Sequence, residues 1–287
     1  MLIKKRNRGI GLIIMAVLTA LLVSACGNNS NSGNSANNKE GTDNAAVAAD
    51  GGYLAELKKE GKIKIGTVGK YPPFTYVDES GKLTGFDVEI AREVFKRVGL
   101  ETEFVTGEWD TMFAGLEAKR FDLIANNVKI SPDREEKYDF SIPYVRSTSI
   151  VLVREDYDDI KSTDDFKGKT VGASPNSAQE KLAKQFGANT IPIGNFDEQI
   201  SNLISGRIDF NIQDKLSFNL IQEEKKFPVK VIDLNLDKSN HGLMFRKGNE
   251  DLVKAASEAL QTVIDDGTLG KLSTQFFKQD ITSELSK

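Results

Sequence analysis

Strand-like and helix-like patterns alternate along most of this chain of 287 residues. Apolar and polar residues alternate over residues 63–68, as in a strand, and residues 86–95 carry apolar side chains at helical spacing. A second block with the same alternation begins near residue 170, and helical stretches at 251–265 and 269–277 follow it. Strands that alternate with helices are typical of α/β domains with largely parallel sheets. The sequence therefore predicts an α/β fold.

The charge balance argues against nucleic acid as a partner. Charged residues make up 28% and hydrophobic residues 39% of the chain, and the length allows one large domain or two of ordinary size. The formal net charge is −4, and it becomes −8 without the first 25 residues, which carry four basic residues and no acid. An acidic protein lacks the positive surface that phosphate groups require.

The counts of Cys and His limit the possible chemistry. Cys26 is the only Cys, which excludes a disulfide within the chain and a metal site with several Cys ligands. We expect no metal and no cofactor. His241 is the only His, so catalysis by a Ser–His or Cys–His pair would depend on it.

The N-terminus has the pattern of an export signal. Residues 1–8 are basic, and residues 10–23 form an apolar run of 14 residues, shorter than the roughly 20 that a transmembrane helix needs. This combination predicts a secretory signal peptide over residues 1–25. The small residues Ser24 and Ala25 before Cys26 resemble the lipobox of bacterial lipoproteins, which implies cleavage before Cys26 and a lipid on its sulfur. An ordinary signal peptide with a chance Cys is the alternative.

Residues 27–50 hold no aromatic residue and almost no large aliphatic one. Such a segment cannot bury a core, so we interpret residues 26–52 as the lipidated Cys and a flexible tether rich in Asn, Ser and Gly. This arrangement predicts a domain held by lipid at the extracellular face of the bacterial cell membrane.

Six segments of the remaining chain carry a more specific pattern. They are GTVGKYPPF at 66–74, GKLTGFDV at 81–88, FDLIANNVKISPDR at 121–134, YDFSIPY at 138–144, RKGNEDL at 246–252 and DGTL at 266–269. In this order and spacing they resemble the bacterial extracellular solute-binding proteins of the polar amino-acid class.

The resemblance implies a two-lobed periplasmic-binding-protein fold of type II, with parallel-rich sheets, a two-strand hinge and the ligand in the cleft between the lobes. The first lobe would comprise residues 53–153 and 237–287, and the second lobe residues 154–236. The chain would then cross between lobes near Arg154 and Leu236. Clefts between domains and the carboxyl ends of strands are common ligand sites.

A free amino acid carries a carboxylate and an ammonium, and a site that removes both from water must pair both. The resemblance places Arg134 at the carboxylate position, where its planar fork can donate two parallel hydrogen bonds. It places Asn176 and Ser177 at a helix N-terminus that also suits a carboxylate, with Asn176 tolerating a left-handed conformation. It places Asp214 at the ammonium position.

Each of these residues also has an ordinary structural alternative. Arg134 could be a surface residue paired with Glu135 or Glu136. Ser177 and Asp214 could simply be the N-caps of the helices that follow them.

Aromatic residues would cover the ligand's side chain. The resemblance puts Tyr71 and Trp109 on either side of it, with Phe74 beside them, and each could instead belong to the core.

Two positions depart from the family pattern. Val68 stands where relatives that bind cationic amino acids carry Asp, and Lys129 stands where Ser or Thr is usual. Lys129 would meet an ammonium unfavourably unless it turns away or pairs with a second carboxylate of the ligand.

The adjacent amides Asn126 and Asn127, with Trp109, resemble the cystine-binding branch, and cystine has a second carboxylate that could pair with Lys129. Glutamine, glutamate or another small polar amino acid is the alternative.

These features predict a substrate-binding lipoprotein of an ABC-type amino-acid importer. It would close around an amino acid, cystine by preference, and deliver it to a membrane permease with its ATPase. We expect a monomer and no enzymatic activity. A dehydratase-like enzyme on the same fold is the remote alternative, and a sensor domain would need a transmembrane helix and an output domain that we do not expect.

Overall fold

The computed structural model describes residues 52–285. The predicted signal peptide, Cys26 and almost all of the predicted tether lie outside these residues. The strands are β1 (Lys62–Thr67), β2 (Lys70–Tyr71), β3 (Thr75–Val77), β4 (Leu83–Thr84), β5 (Glu101–Thr106), β6 (Leu123–Ile124), β7 (Tyr138–Phe140), β8 (Val145–Arg154), β9 (Thr170–Ala173), β10 (Asn189–Pro192), β11 (Asn211–Asp214), β12 (Val229–Ile232), β13 (Lys238–His241) and β14 (Met244–Arg246).

Helices connect most of these strands. They are α1 (Tyr53–Glu60), α2 (Phe86–Val98), α3 (Trp109–Glu117), α4 (Pro132–Glu135), α5 (Ala178–Gln185), α6 (Phe196–Ile204), α7 (Lys215–Lys225), α8 (Glu250–Asp265), α9 (Thr268–Phe277) and α10 (Thr282–Leu285), with a 3₁₀ turn at Thr163–Phe166. None of the helices within residues 52–285 combines the length and the hydropathy that a membrane span requires.

The first lobe is built on a five-stranded sheet in the order β5–β1–β6–β14–β7. Strand β1 pairs in parallel with β5 and β6, while β14 runs antiparallel to β6 and β7. Ile63 and Ile65 of β1 are fully buried, in agreement with the alternation that predicts this strand. Helices α2, α8 and α9 pack together beside this sheet.

The second lobe is organised around β8, which lies between β11 and β12 and runs antiparallel to both. Strands β9 and β10 form a separate parallel pair. Its core contains Phe166, Phe210 and Ile212 in one cluster and Ile200 and Phe218 in another.

Buried apolar residues show how the chain passes between the lobes. The main core of the first lobe extends from Leu57 to Val145 and resumes at Leu243, whereas the cores of the second lobe lie between Ile150 and Val229. Strands β8 and β13 pair where the chain leaves and returns, with Thr148 opposite Lys238. The predicted two-lobed α/β fold with a two-strand hinge is confirmed, and the exact lobe boundaries stay a prediction.

Candidate functional site

A cavity of about 400 Å³ lies between the two lobes, within the range of about 300–1,000 Å³ that is usual for small-molecule sites. Val68 and Asn126 border it just beyond the ends of β1 and β6, and Ser174 and Asp214 border it at the ends of β9 and β11. The carboxyl ends of strands from both lobes therefore face one cleft, as the α/β architecture favours.

Arg134 lies in α4, which begins at Pro132 after Ser131, as the sequence predicts. Its side chain borders the cavity and the residue is only 4% exposed. Nη1 donates to the carbonyl of Lys129 at 3.0 Å, and Nη2 donates to the carbonyl of Asn176 at 3.4 Å. The ring of Trp109 lies 5.7 Å from Cζ.

No carboxylate within residues 52–285 forms an ion pair with Arg134. Burial lowers the pKa of Arg134, because removal from water disfavours the charged form. A guanidinium has five N–H donors, and two hydrogen bonds to carbonyls leave several of them available. The arrangement is that of a buried cation ready to receive an anion.

Asp214 lies across the cleft, at the end of β11, and is 5% exposed. Its Oδ1 accepts a hydrogen bond from the backbone N–H of Ser217 at 3.0 Å, so it caps α7. It also borders the cavity and has no ion-pair partner in the described part of the chain. The capping role and the cavity position, which sequence analysis treats as alternatives, coexist because a carboxylate accepts several hydrogen bonds.

Ser177 caps α5 and borders the cavity as well. Its Oγ accepts from the backbone N–H of Glu180 at 3.1 Å. Asn176 has φ +62°, the left-handed conformation that the sequence predicts for it. Its side chain is not part of the cavity lining, however, and what it offers Arg134 is its carbonyl. The backbone N–H of Asn176 donates to Glu180 Oε2 at 2.8 Å, and a contact between Asn176 and the ligand stays a prediction.

Tyr71 and Trp109 both border the cavity from the first lobe. Indole Nε1 of Trp109 is buried and has no hydrogen-bond partner among the residues that the structure describes. Burial also raises the pKa of Tyr71, which keeps its hydroxyl protonated. These two side chains therefore offer apolar surface with polar ends.

Phe74 does not border the cavity, and the prediction that it contacts the ligand is wrong in this respect. Its ring is fully buried in the core of the first lobe, 5.4 Å from the ring of Phe277 and 5.3 Å from that of Tyr71. The chain folds back tightly here: a Cβ on Gly85 would lie 2.4 Å from the carbonyl oxygen of Phe74. Phe74 thus supports Tyr71 from behind.

Asn126 and Asn127 follow β6 and border the cavity. Asn126 Oδ1 accepts from the backbone N–H of Val68 at 2.8 Å, which ties the ends of two strands together. Asn127 donates its backbone N–H to the buried carboxylate of Asp87, and its own buried Oδ1 has no hydrogen-bond partner within residues 52–285. Burial raises the pKa of Asp87 to about 7.

Lys129 borders the cavity and has a protein partner that sequence analysis does not identify. Its Nζ lies 2.6 Å from Oδ2 of Asp237, and both side chains are about one-fifth exposed. The sequence predicts that Lys129 either turns away from the ligand ammonium or pairs with a second carboxylate of the ligand. The structure instead gives it an internal carboxylate, because β13 brings Asp237 alongside.

A group of polar residues on and beside β8 and β13 also borders the cavity, and the sequence alone does not reveal it. Ser239 of β13 lies opposite Ser147 of β8, and both border the cavity with His241 and Asp237. His241 Nδ1 donates to the carbonyl of Asn127 at 2.9 Å, so its Nε2, 3.1 Å from Ser239 Oγ, is the acceptor in the neutral ring. Burial lowers the pKa of His241, which favours that neutral form.

Among residues 52–285, the cleft therefore has a cation without an ion-pair partner on the first-lobe wall, beside the aromatic side chains, and a carboxylate without one on the second-lobe wall. No group of three or more potential metal ligands occurs in residues 52–285. A two-lobed α/β fold with such an interlobe cleft has the architecture expected of the solute-binding proteins that the sequence resembles.

The comparisons with known proteins identify the family. Residues 63–279 match the bacterial extracellular solute-binding proteins, family 3, and the chain belongs to this family. The resemblance noted in the sequence is thereby confirmed, as is its likeness to the cystine-binding branch. The chain is 38% identical over 273 residues to the L-cystine-binding protein TcyA of Bacillus subtilis, a match covering 94% of this chain and 98% of the relative.

Two solved structures show the same architecture. A putative L-cystine ABC transporter from Listeria monocytogenes superposes with a TM-score of 0.71 at 29% identity, over 77% of this chain and 98% of that one. The arginine-, lysine-, histidine-binding protein ArtJ of Geobacillus stearothermophilus superposes with a TM-score of 0.73 at 28% identity. The match covers 79% of this chain and 100% of that one. The shared fold thus accommodates ligands of different charge.

Proposed function

We propose that this protein is the substrate-binding component of an ABC-type importer that captures L-cystine outside the cell and delivers it to a membrane permease with its ATPase. The observation that carries the proposal is the buried guanidinium of Arg134, which has no carboxylate partner within residues 52–285 and faces a cleft whose other wall holds Asp214. One carboxylate of the ligand pairs with Arg134, and the ammonium of the same head group pairs with Asp214.

The remaining site residues have supporting roles in this proposal. Tyr71 and Trp109 cover the apolar middle of the ligand. Asn126, Asn127 and Ser177 supply polar contacts at the strand ends and the start of α5.

The cavity is poorly suited to a cationic side chain. Val68, an apolar residue, borders it where a carboxylate would be needed, and Asp237 is already paired with Lys129. Next to Val68 and the Lys129–Asp237 pair, a lysine or arginine side chain would therefore bring a second cation into a partly dry part of the site that holds no unpaired carboxylate. The names of TcyA and of the Listeria protein support cystine as the ligand.

We also propose that the protein binds without turning its ligand over. Four carboxylates border the cavity; Glu198 is exposed and Asp237 pairs with Lys129, which leaves Asp214 and Glu108 to consider as an acid or base. Asp214 is engaged as a helix cap, and Glu108 pairs with Lys70 at 2.9 Å on an exposed edge. Neither is placed as a dedicated proton donor.

The anchor forms a further part of the proposal. Residues 1–25 are a signal peptide, Cys26 carries lipid after cleavage, and the segment to residue 52 tethers a monomeric domain to the outer face of the membrane. Within that domain, the lobe boundaries lie at 153/154 and 236/237. A Cys26→Ala variant is then released from the cell surface; retention with membranes through a high-salt wash would contradict lipid attachment at Cys26.

Calorimetric titration of the purified protein against the twenty amino acids and cystine tests the function. Cystine is expected to bind saturably, with arginine, lysine and histidine far weaker, and mass analysis of the recovered ligand should return unchanged cystine. Tight binding of arginine with none for cystine would overturn the proposed ligand, and a converted product would overturn the assignment as a binder.

A further inference from the structure

Three amide side chains form a closed hydrogen-bond network in the second lobe, on the wall of the cavity. They are Asn211 and Gln213 of β11 and Gln199 of α6, and all three are buried. Gln199 and Gln213 also border the cavity. Buried amides are costly unless paired, so the orientation of each one is set by its partners.

Two backbone carbonyls fix the orientation of the network. Asn211 Nδ2 donates to the carbonyl of Gly172 at 2.8 Å, and Gln199 Nε2 donates to the carbonyl of Ile193 at 2.6 Å. A carbonyl only accepts hydrogen bonds, so the nitrogen of each amide must face it. The oxygens of Asn211 and Gln199 are consequently turned towards Gln213.

Gln213 donates hydrogen bonds to these two oxygens from its NH₂ group. Its Nε2 lies 2.8 Å from Gln199 Oε1 and 2.6 Å from Asn211 Oδ1, so both of its protons are used. Its Oε1 has no hydrogen-bond partner in the described part of the chain, although Gln213 is only 6% exposed. The network therefore leaves Gln213 as an acceptor only, held in one orientation at the cavity wall.

Gln213 and Asp214 point to opposite faces of β11, because successive side chains alternate along a strand. Asp214 turns to the start of α7, whereas Gln213 turns to α6. Glu198, next to Gln199 on α6, also borders the cavity and has no basic partner among residues 52–285. The side of the cavity next to α6 therefore carries hydrogen-bond acceptors that pair with no basic side chain among residues 52–285.

We infer that Gln213, oriented by Gln199 and Asn211, forms a second head-group subsite that accepts a hydrogen bond from the distal ammonium of a ligand with two amino groups. The inference rests on the proposed function and deepens it, since cystine carries such a second ammonium. An acceptor-only oxygen selects an ammonium and not a carboxylate. The subsite favours cystine over one-headed amino acids that fit the Arg134 and Asp214 end equally well.

The test separates the two charged groups of the distal end by changing the ligand. The full-length protein is titrated with cystine, with the mixed disulfide of cysteine and cysteamine, which keeps the second ammonium alone, and with the mixed disulfide of cysteine and 3-mercaptopropionic acid, which keeps the second carboxylate alone. Loss of the ammonium is expected to weaken binding about 10- to 100-fold, the usual worth of a hydrogen bond to a charged group. Loss of the second carboxylate is expected to weaken binding by a clearly smaller factor.

A variant then assigns the effect to Gln213. Gln213→Met keeps the length of the side chain and removes the acceptor, so it should abolish the preference for the ammonium-bearing disulfide. Gln185→Met, at an exposed position at the end of α5 in the same lobe, is the matched control and should keep the preference. Thermal unfolding of both variants checks that the second lobe is intact.

The outcomes are distinct. Equal binding of the two mixed disulfides by the wild-type protein overturns the inference even if Gln213→Met does not fold. A preference that survives in a folded Gln213→Met variant overturns the role of Gln213. Absence of any cystine binding overturns the proposed function itself, and the inference with it.

Discussion

The two walls of the cleft satisfy their polar groups in different ways. On the first-lobe wall, Arg134 is buried with carbonyls and aromatic rings around it but no counter-charge among the described residues. On the second-lobe wall, Ser177 and Asp214 each cap a helix and Gln213 completes an amide network. Arg134 needs the ligand to complete its pairing, whereas Ser177, Asp214 and Gln213 each also hold part of the second lobe in place.

This difference separates binding from stability. An unpartnered buried cation costs free energy in the empty protein, so its removal should harm binding much more than folding. A residue that both caps a helix and faces the ligand should affect both properties when it is lost. Substitutions on the two walls should therefore separate the loss of ligand affinity from the loss of folding stability.

Arg134→Ala is expected to weaken cystine binding by about 2–5 kcal/mol, roughly 30-fold to several-thousand-fold, because the ligand carboxylate loses its buried partner. The melting temperature should stay the same or rise, since no internal ion pair is broken. Calorimetric titration and scanning calorimetry measure the two effects. Arg120→Ala, at an exposed position of the same lobe, is the control. Unchanged affinity in Arg134→Ala would refute the assignment.

Asp87 beneath the first-lobe wall should make stability depend on pH. Burial raises its pKa from 3.8 to about 7, so between these values the folded protein holds a proton that the unfolded chain releases. The contribution of Asp87 to stability is therefore full below pH 4 and is lost as the pH rises through 7, on the order of 1.4 kcal/mol for each unit of raised pKa.

Denaturant unfolding of the wild type and of Asp87→Asn at pH 4.5 and pH 7.5 isolates this contribution, because other groups titrate alike in both proteins. The wild type should lose more stability than the variant between the two pH values. Equal losses would show that Asp87 titrates normally in the folded protein.

Two substitutions at Asp214 separate its role as the cap of α7 from its proposed role as the partner of the ligand ammonium. Asp214→Asn keeps a side-chain oxygen that can cap α7 and removes the charge, so cystine binding should fall about 10- to 150-fold with little loss of stability. Asp214→Ala should show the same loss of binding and a further loss of about 1 kcal/mol in the free energy of unfolding. If Asp214→Asn binds cystine normally, the ammonium has another partner.

The pair formed by Lys129 and Asp237 should have the smallest effect on binding. The pair is partly exposed, so a double-mutant cycle of Lys129→Met with Asp237→Asn should give a coupling of about 1 kcal/mol or less in stability. Cystine affinity should change by only a few-fold in either variant. A loss in Lys129→Met as large as that in Arg134→Ala would show that Lys129 binds the ligand directly.

Local patterns in the sequence identify the elements and several details of the site. The alternation of β1 and the start of α4 at Ser131 and Pro132 follow from the residues themselves, and the left-handed Asn176 follows from the resemblance. The resemblance to a family places Arg134 and Asp214 at the cavity. These features depend on short-range spacing or on motifs, which a sequence displays directly.

The missed residues depend on contacts between distant segments. Strand β13 reads KSNH, with no apolar alternation to mark it, and it forms because β8 provides a partner. Asp237, Ser239 and His241 therefore carry no local sign of a shared face. Gln213 looks like an ordinary polar residue until α6 brings Gln199 against it. Phe74 is placed in the core by Phe277, 203 positions along the chain.

A crystal structure of the protein with bound cystine would show whether one head group of the ligand joins the two walls. We expect one ligand carboxylate within about 3 Å of the Arg134 guanidinium and the ammonium of the same head group against Asp214. A bound cystine whose carboxylates both lie away from Arg134, or whose contacts are confined to one lobe, would contradict this expectation.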